Sequence, residues 1–358
     1  MRLAITLITI LLLLLAPKPA FAWGYKEHIQ LTRLAMTRIV QDPTTPEGLR
    51  RWARENCAIL HDIAAERDWF LHESVGEDPS KYRGILWWAC MPDLQVKLMP
   101  RDAKLSYLPA HERLMHYIDL EMFLPPGVVQ KYRDDLTARV SPERIPRDAN
   151  DPRYQQAGFL PLALEHSYRE FVMALKENRL GPNPADSQNN DQNDNHALRW
   201  AGYLAHYIQD NTQPHHATED YKSKSYFPGV ANPPNVHSEI EWRMGDDPKN
   251  SYAALRRVYW EQLDLALRAS SNPSINDDLF LSTLEVAGRS YEALPLIGRA
   301  AQQANKTGTF DLEVFYNFEG NVGEMKMTVL QLKARQQAWA ILRTEQLIRR
   351  AWDEAKKP

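Results

Sequence analysis

Apolar residues along the chain recur mainly at the three-and-four spacing of an α-helix. Ile29, Leu31, Leu34, Ala35 and Ile39 predict a helix from about Lys26 to Val40. The same period predicts helices over Leu105–Phe123, Leu160–Leu175 and His196–Gln209, with further helical stretches over Ser251–Ala269 and Asn276–Ala304. The last segment, Glu324–Trp352, reads as one long amphipathic helix. Strict polar–apolar alternation is nearly absent, so the pattern predicts an all-α fold class. Three stretches interrupt it: Pro125–Asp151, rich in Pro, Arg and Asp; Gly181–Asn195, with the polar run SQNNDQNDN; and Tyr221–Val236, with Gly229 and three prolines. No internal repeat and no shift of composition divides the remainder, so residues 23–358 are expected to form a single multi-helix domain.

The first 22 residues follow another logic. Arg2 precedes the uncharged apolar run Leu3–Ala16, Pro17 to Pro19 break it, and Ala20-Phe21-Ala22 supplies a small-x-small cleavage site. That layout predicts a secretory signal peptide cut after Ala22, and hence a secreted or periplasmic protein. A run of 14 residues is short of the ~20 needed to span a bilayer.

Charge and cysteine content narrow the chemistry. The formal net charge of −3 becomes more negative once Arg2 and Lys18 leave with the leader, so the chain lacks the basic footprint of a protein that grips long nucleic acid. Short or single-stranded substrates stay open. Cys57 and Cys90 are the only cysteines. In an oxidising compartment they either pair with each other or stay as two buried thiols. A zinc site made of cysteine alone is excluded by number, which leaves His, Asp, Glu and backbone atoms as candidate ligands.

The histidines carry the functional signal. Five of the 11 are followed four positions later by an acidic residue: His166–Glu170, His206–Asp210, His215–Glu219, His216–Asp220 and His237–Glu241. Chance gives roughly one or two such pairs. In GYLAHYIQDNTQPHHA, helical spacing puts His206 and Asp210 on one face, and Pro214 then stops the helix so that the turn returns His215 and His216 toward the same region. Taken alone, the pair also fits a core histidine satisfied by a carboxylate. In PPNVHSEIEWRM, Asn235 is placed to cap a helix that carries His237 and Glu241 on one face. Upstream, RLMHYIDLEM sets His116 and Asp119 in a predicted helix, and Asp93 follows Pro92 in a predicted turn. The expected mature N-terminus is Trp23-Gly24-Tyr25-Lys26-Glu27-His28, whose α-amino group deprotonates near neutral pH and so can bind a metal.

Taken in order, these elements resemble the zinc-dependent phospholipase C and single-strand-specific nuclease superfamily. Its members begin, once processed, with a tryptophan whose amine and carbonyl bind zinc. They continue with a nearby His, an Asp, a lone His, a His-x3-Asp-x5-His string and a His-x3-Asp/Glu pair. Trp23, His28, Asp93, His116, His206–Asp210–His216 and His237–Glu241 match in that order, and the Gln213-Pro214 turn matches too. The resemblance implies a fold of that type and three zinc ions. One ion would be held by Asp93, His116, His206 and Asp210; a second by His216, His237 and Glu241; a third by the Trp23 amine and carbonyl, His28 and a shared Asp210. It further implies cleavage of phosphodiesters by water activated between two ions, with Asp93 and Asp210 as catalytic carboxylates. His61, His72, His111, His166, His196 and His215 have no counterpart and are read as structural.

The resemblance implies a phosphodiester substrate, either a phospholipid headgroup ester or single-stranded nucleic acid and nucleotides. Glu241 as last ligand, the scarcity of cysteine and the absence of a basic stripe resemble the phospholipases. The short Trp23-to-His28 spacing resembles the nucleases, as do Tyr117 and Asp119 where those enzymes stack and bond a base. No stable protein partner is implied, and a membrane enters only as a substrate surface. A secreted zinc-binding protein without activity is the other reading, although a site of only three protein ligands (His216, His237, Glu241) leaves a position open, as catalytic zinc sites do.

Overall fold

The computed structural model describes residues 24–57, 62–72, 82–124, 142–181, 196–241, 249, 251–269 and 276–357. The leader at 1–22, Trp23, His61, the polar run at 187–195 and residues 125–141 of the predicted connection lie outside these residues. The chain is mostly helical. Its main helices are α1 (Tyr25–Gln41), α2 (Glu47–Asn56), α3 (Ile63–His72), α4 (Ile85–Leu98), α5 (Leu160–Lys176), α6 (Ala197–Asn211), α7 (Val236–Glu241), α8 (Ala253–Ala269), α9 (Leu279–Tyr291), α10 (Leu294–Ala304), α11 (Leu312–Asn317) and α12 (Val329–Ala355). Among the described residues, none of the helices is long and apolar enough to cross a membrane.

Apolar side chains gather in two clusters. One is formed largely by α2, α4, α5, α6 and α9, the other by α3, α8, α10 and α11. Helices α1 and α12 belong to both: α1 gives Ile29 and Ile39 to the first and Leu31 and Leu34 to the second, while α12 gives Ile348 to the first and Ile341 to the second. At 27 residues, α12 runs about 40 Å, long enough to fasten both clusters.

Several elements depart from their predicted form. Leu105–Phe123 is not a helix but an irregular strap with short 3₁₀ turns at Glu112–Met115 and Leu120–Phe123. Its backbone donors are taken by distant acceptors: Ile118 N–H bonds His216 O at 2.8 Å and Asp119 N–H bonds Ala157 O at 2.6 Å. Asp93 lies within α4 rather than in a turn, Pro92 being accommodated inside that helix. The predicted Asn276–Ala304 stretch is two helices, and Pro295 opens the second at a position where no intrahelical donor is needed. Before α12 stands an antiparallel hairpin, β1 (Glu319–Val322) with β2 (Met325–Thr328), turning at Gly323. Thr328 and Gln331 then form a reciprocal capping box that starts α12 five residues later than the periodicity suggests. Cys57 and Cys90 are separate buried thiols.

Helix α4 packs closely on α6, which carries His206 and Asp210. Gly202 faces α4, and a Cβ there would stand 2.4 Å from Trp88 Cβ and 2.8 Å from the Ala89 nitrogen. Any side chain forces the two helices apart. Gly202→Val is therefore expected to destabilise the protein by roughly 1–3 kcal/mol or more. Gly288→Ala in α9, where an added Cβ meets nothing within 4 Å, should stabilise by about 0.5–1 kcal/mol. Thermal unfolding of the two variants checks the contrast.

Candidate metal centre

Gly202, His206 and Asp210 lie on successive turns of one face of α6. The close approach at Gly202 therefore brings His206 and Asp210 against the Ala89–Asp93 turn of α4. His206 Nδ1 donates to the Ala89 carbonyl at 2.7 Å, and Pro92 on the same turn removes one of α4's own donors. Helix α6 ends at Asn211, and Pro214–Ala217 form a 3₁₀ turn, as the sequence suggests. Gln213 shapes this turn: its Oε1 accepts the His215 N–H at 2.6 Å. The His116 strap is stitched to the turn in both directions. Ile118 N–H donates to His216 O, and His216 Nδ1 donates to His116 O. Gly158, at φ +88°, admits the Tyr117 carbonyl where a Cβ would lie 2.2 Å from it.

These elements bring eight predicted ligands together, all buried: His28, Asp93, His116, His206, Asp210, His216, His237 and Glu241. Among the described residues, three groups could hold metal ions: His28, His206 and Asp210; Asp93, His116 and His206; and His216, His237 and Glu241, the first two sharing His206. Asp210 belongs to the first and also reaches the second through His116. Its Oδ1 is 3.4 Å from His28 Nε2, and its Oδ2 is 3.2 Å from His206 Nε2 and 3.0 Å from His116 Nδ1. Asp93 approaches from α4, 4.0 Å from His28 Nε2 and 3.9 Å from His116 Nδ1. In the third group His216 Nε2 and His237 Nε2 are 3.2 Å apart, and Glu241 Oε1 lies 2.5 Å from His237 Nε2. Trp23 lies outside the described residues.

The tautomers explain what this arrangement needs. His206 and His216 each spend the Nδ1 proton on a backbone carbonyl. His28 Nδ1 faces Gln209 Oε1 at 2.6 Å, while the Gln209 amide nitrogen donates to Thr32 Oγ1. Each Nε2 therefore turns a lone pair inward, the usual way a protein orients an imidazole ligand. Those lone pairs meet carboxylate oxygens. Both oxygens of Asp93, both of Asp210 and Oε2 of Glu241 make no hydrogen bond. Acceptors converging on acceptors at full burial repel unless a cation stands among them. The spacings around Asp210 and between His216 and His237, 3.0–3.4 Å, match the roughly 3.3 Å edge of a tetrahedron with ~2.0–2.1 Å metal–ligand bonds, whereas Asp93 stands wider, at 3.9–4.0 Å from its imidazoles, and Glu241 closer to His237, at 2.5 Å. A donor set of imidazoles and carboxylates suits a divalent metal ion.

Burial governs the electrostatics. It pushes Asp93 up to about 7 despite His28 and His116 nearby, and holds Glu241 well above the carboxylate range. Burial drives His206 down to about 3 and His216 down to about 4. Asp210 is the exception. Burial opposes its charge, yet His206, His116 and His28 together hold it well below the usual carboxylate range. Burial likewise opposes protonation of His116, but Asp210 outweighs it and raises the imidazole to about 9.

Tyr117 and Asp119 sit half-buried on the strap next to His116. Burial, then Glu121 and Glu219, pushes Asp119 up to about 8. Tyr221, not foreseen from the sequence, stands edge-on to His237 at 6.2 Å and is half-exposed. Also unforeseen are the residues behind the ligands. Gln209 orients His28, and the Gln213 amide donates to Glu241. Glu112, bonded by Tyr207 at 2.6 Å, faces His116 Nε2 at 3.7 Å. Gln209 and Gln213 lie within the motif itself; nothing local marks Glu112. Asn235 does not cap α7 as expected. Its Oδ1 has no partner, and its amide donates to Ser238 Oγ instead. The other described histidines have structural roles: His215 bonds Ser223, His196 caps α6, His111 accepts from Arg113, and His166 stacks flat on Tyr107 at 4.4 Å. No family model matches the chain, and no curated protein or solved structure matches it at a significant level.

Two predictions follow from this division of roles. Asp210→Asn should weaken zinc binding by more than the ~10–100-fold typical of changes behind a ligand, whereas Glu170→Gln should leave it unchanged; zinc titration of both variants checks this. His166 is held down to about 4, chiefly by burial, against about 6.5 unfolded. Its contribution to stability is thus complete above pH 6.5 and disappears as pH falls toward 4. His166→Phe keeps the stack and should flatten the fall of melting temperature across that window.

Proposed function

We propose that this protein is an exported zinc-dependent phosphoric ester hydrolase of the phospholipase C and single-strand nuclease type. The observation that carries the reading is the convergence on Asp210, where inward lone pairs of His28 and His206 face a buried carboxylate that makes no hydrogen bond. The ordered ligand motif of the sequence supports the same reading. Zinc at these groups supplies Lewis acidity, acidifying water and offsetting charge on the phosphoryl oxygens.

The chain's own residues do the rest. Asp210 belongs to the first group, and its Oδ2 also reaches His116 of the second, so one carboxylate would be placed to serve two ions. Asp93 makes no hydrogen bond and sits where it can ligate and also accept a proton. His216, His237 and Glu241 provide three ligands, which leaves a position for water or a phosphoryl oxygen, the mark of a catalytic rather than a structural site. Glu241 as the last ligand and the absence of a basic stripe favour a phospholipid over a polyanionic strand. The nuclease reading rests on Tyr117 and Asp119 as base-binding groups.

Hydrolysis of bis(p-nitrophenyl) phosphate should be abolished by chelator and restored by zinc. A panel of phosphatidylcholine, single- and double-stranded DNA, RNA and 3′-nucleotides separates the substrate classes, with phosphatidylcholine expected to be cleaved fastest. A protein that binds zinc but turns over none of these would be a zinc-binding protein without activity. Should the Trp23 amine serve as a ligand, protein beginning at Trp23 will exceed in zinc content and activity the same protein carrying one extra N-terminal Gly. Equal values in the two forms would refute that ligand and leave the other groups untouched.

A further inference from the structure

Lys333 is a buried lysine on α12, 2 % exposed. Its ammonium has three donors, and the structure gives three acceptors: Glu27 Oε1 at 2.7 Å, Ile240 O at 2.7 Å and Glu241 O at 3.0 Å. The other oxygen of Glu27 accepts the Gly24 N–H at 2.9 Å. One buried cation therefore ties together α12, the first turn of α1 and the end of α7.

The two segments tied to α12 carry candidate ligands, His28 on α1 and His237 and Glu241 on α7. Glu27 adjoins His28, and Gly24 follows Trp23. Helix α7 carries His237 and Glu241 in only six residues, far too short to hold its own shape. Its last carbonyls have no partner within the helix, and a cation at that end is favoured by the helix dipole. Lys333 supplies the cation. Tyr316 on α11 adds a hydroxyl that bonds the carbonyls of Glu239 at 3.0 Å and Ile240 at 3.1 Å.

We propose that Lys333 is a positioning residue of the metal centre, holding the His237–Glu241 helix and the N-terminal segment in fixed relation through Glu27 and the α7 carbonyls. The role rests on the metal-binding reading above. A buried ion pair could instead serve stability alone, and the two roles separate experimentally. Removing both charges avoids the uncompensated buried carboxylate that Lys333→Met would leave on its own.

The test is zinc titration of mature wild-type protein and the Glu27→Gln/Lys333→Met double variant, with circular dichroism and thermal unfolding of the zinc-free forms. Lys333→Gln in the same Glu27→Gln background serves if the Met form does not fold. The expected result is a folded variant whose weakest zinc is lost or bound roughly 10–100-fold more weakly. Tyr316→Phe should weaken the same zinc to a smaller degree. Wild-type stoichiometry and affinity in the folded double variant overturn the positioning role while leaving the metal centre intact. A wild-type protein that takes up no zinc overturns the centre and this role together.

Discussion

Asp210 is a fully buried carboxylate with three imidazole nitrogens within 3.4 Å. A charge taken out of water in this way costs several kcal/mol unless it is met by opposite charge and hydrogen bonds. Here two of the three nitrogens, those of His28 and His206, turn lone pairs toward it because their protons are spent elsewhere. The surrounding structure keeps them so. Ala89 fixes His206, Gln209 fixes His28, and Thr32 fixes Gln209. Rings oriented with this much care toward a carboxylate make physical sense around a cation.

The fold delivers these groups from elements of different length. Helices α4 and α6 meet closely at Gly202, so two long helices carry the Asp93, His206 and Asp210 side of the site. The opposite side is built from short pieces: the His116 strap, the Pro214–Ala217 turn and the six-residue α7. These pieces hold one another through backbone bonds such as Ile118 to His216, and α12 supports α7 from behind through Lys333. Because α1 and α12 run through both apolar clusters, the ligand segments rest on the longest and best-packed parts of the chain. A site that must keep donors within a few tenths of an ångström benefits from that support.

How much of this was legible in the sequence differs from residue to residue. His206 and Asp210 were readable because helical period alone puts them on one face, and Pro214 announces the turn that brings His216 back. His237 and Glu241 were readable in the same way. The order of the ligand motif carried the rest of the list, including His28, whose place beside Asp210 depends on how α1 packs. The strap around His116 was misread as helix because its apolar spacing is helical; only the long-range bonds to His216 and Ala157 reveal why it is not. Asp93 was assigned to a turn on the strength of Pro92, yet α4 continues through the proline under tertiary packing. Lys333 and Glu27 are 306 positions apart, and no local pattern marks either one. The hairpin before α12 is four residues per strand, too short for alternation to stand out.

The most direct test of the account is zinc K-edge X-ray absorption on the purified, zinc-loaded protein. The account predicts a first coordination shell of nitrogen and oxygen alone at about 2.0–2.2 Å, with outer scattering from a second zinc about 3.5–4 Å away, as one carboxylate shared at Asp210 requires. A sulfur shell near ~2.3 Å, or a protein that retains no zinc at all, would contradict it.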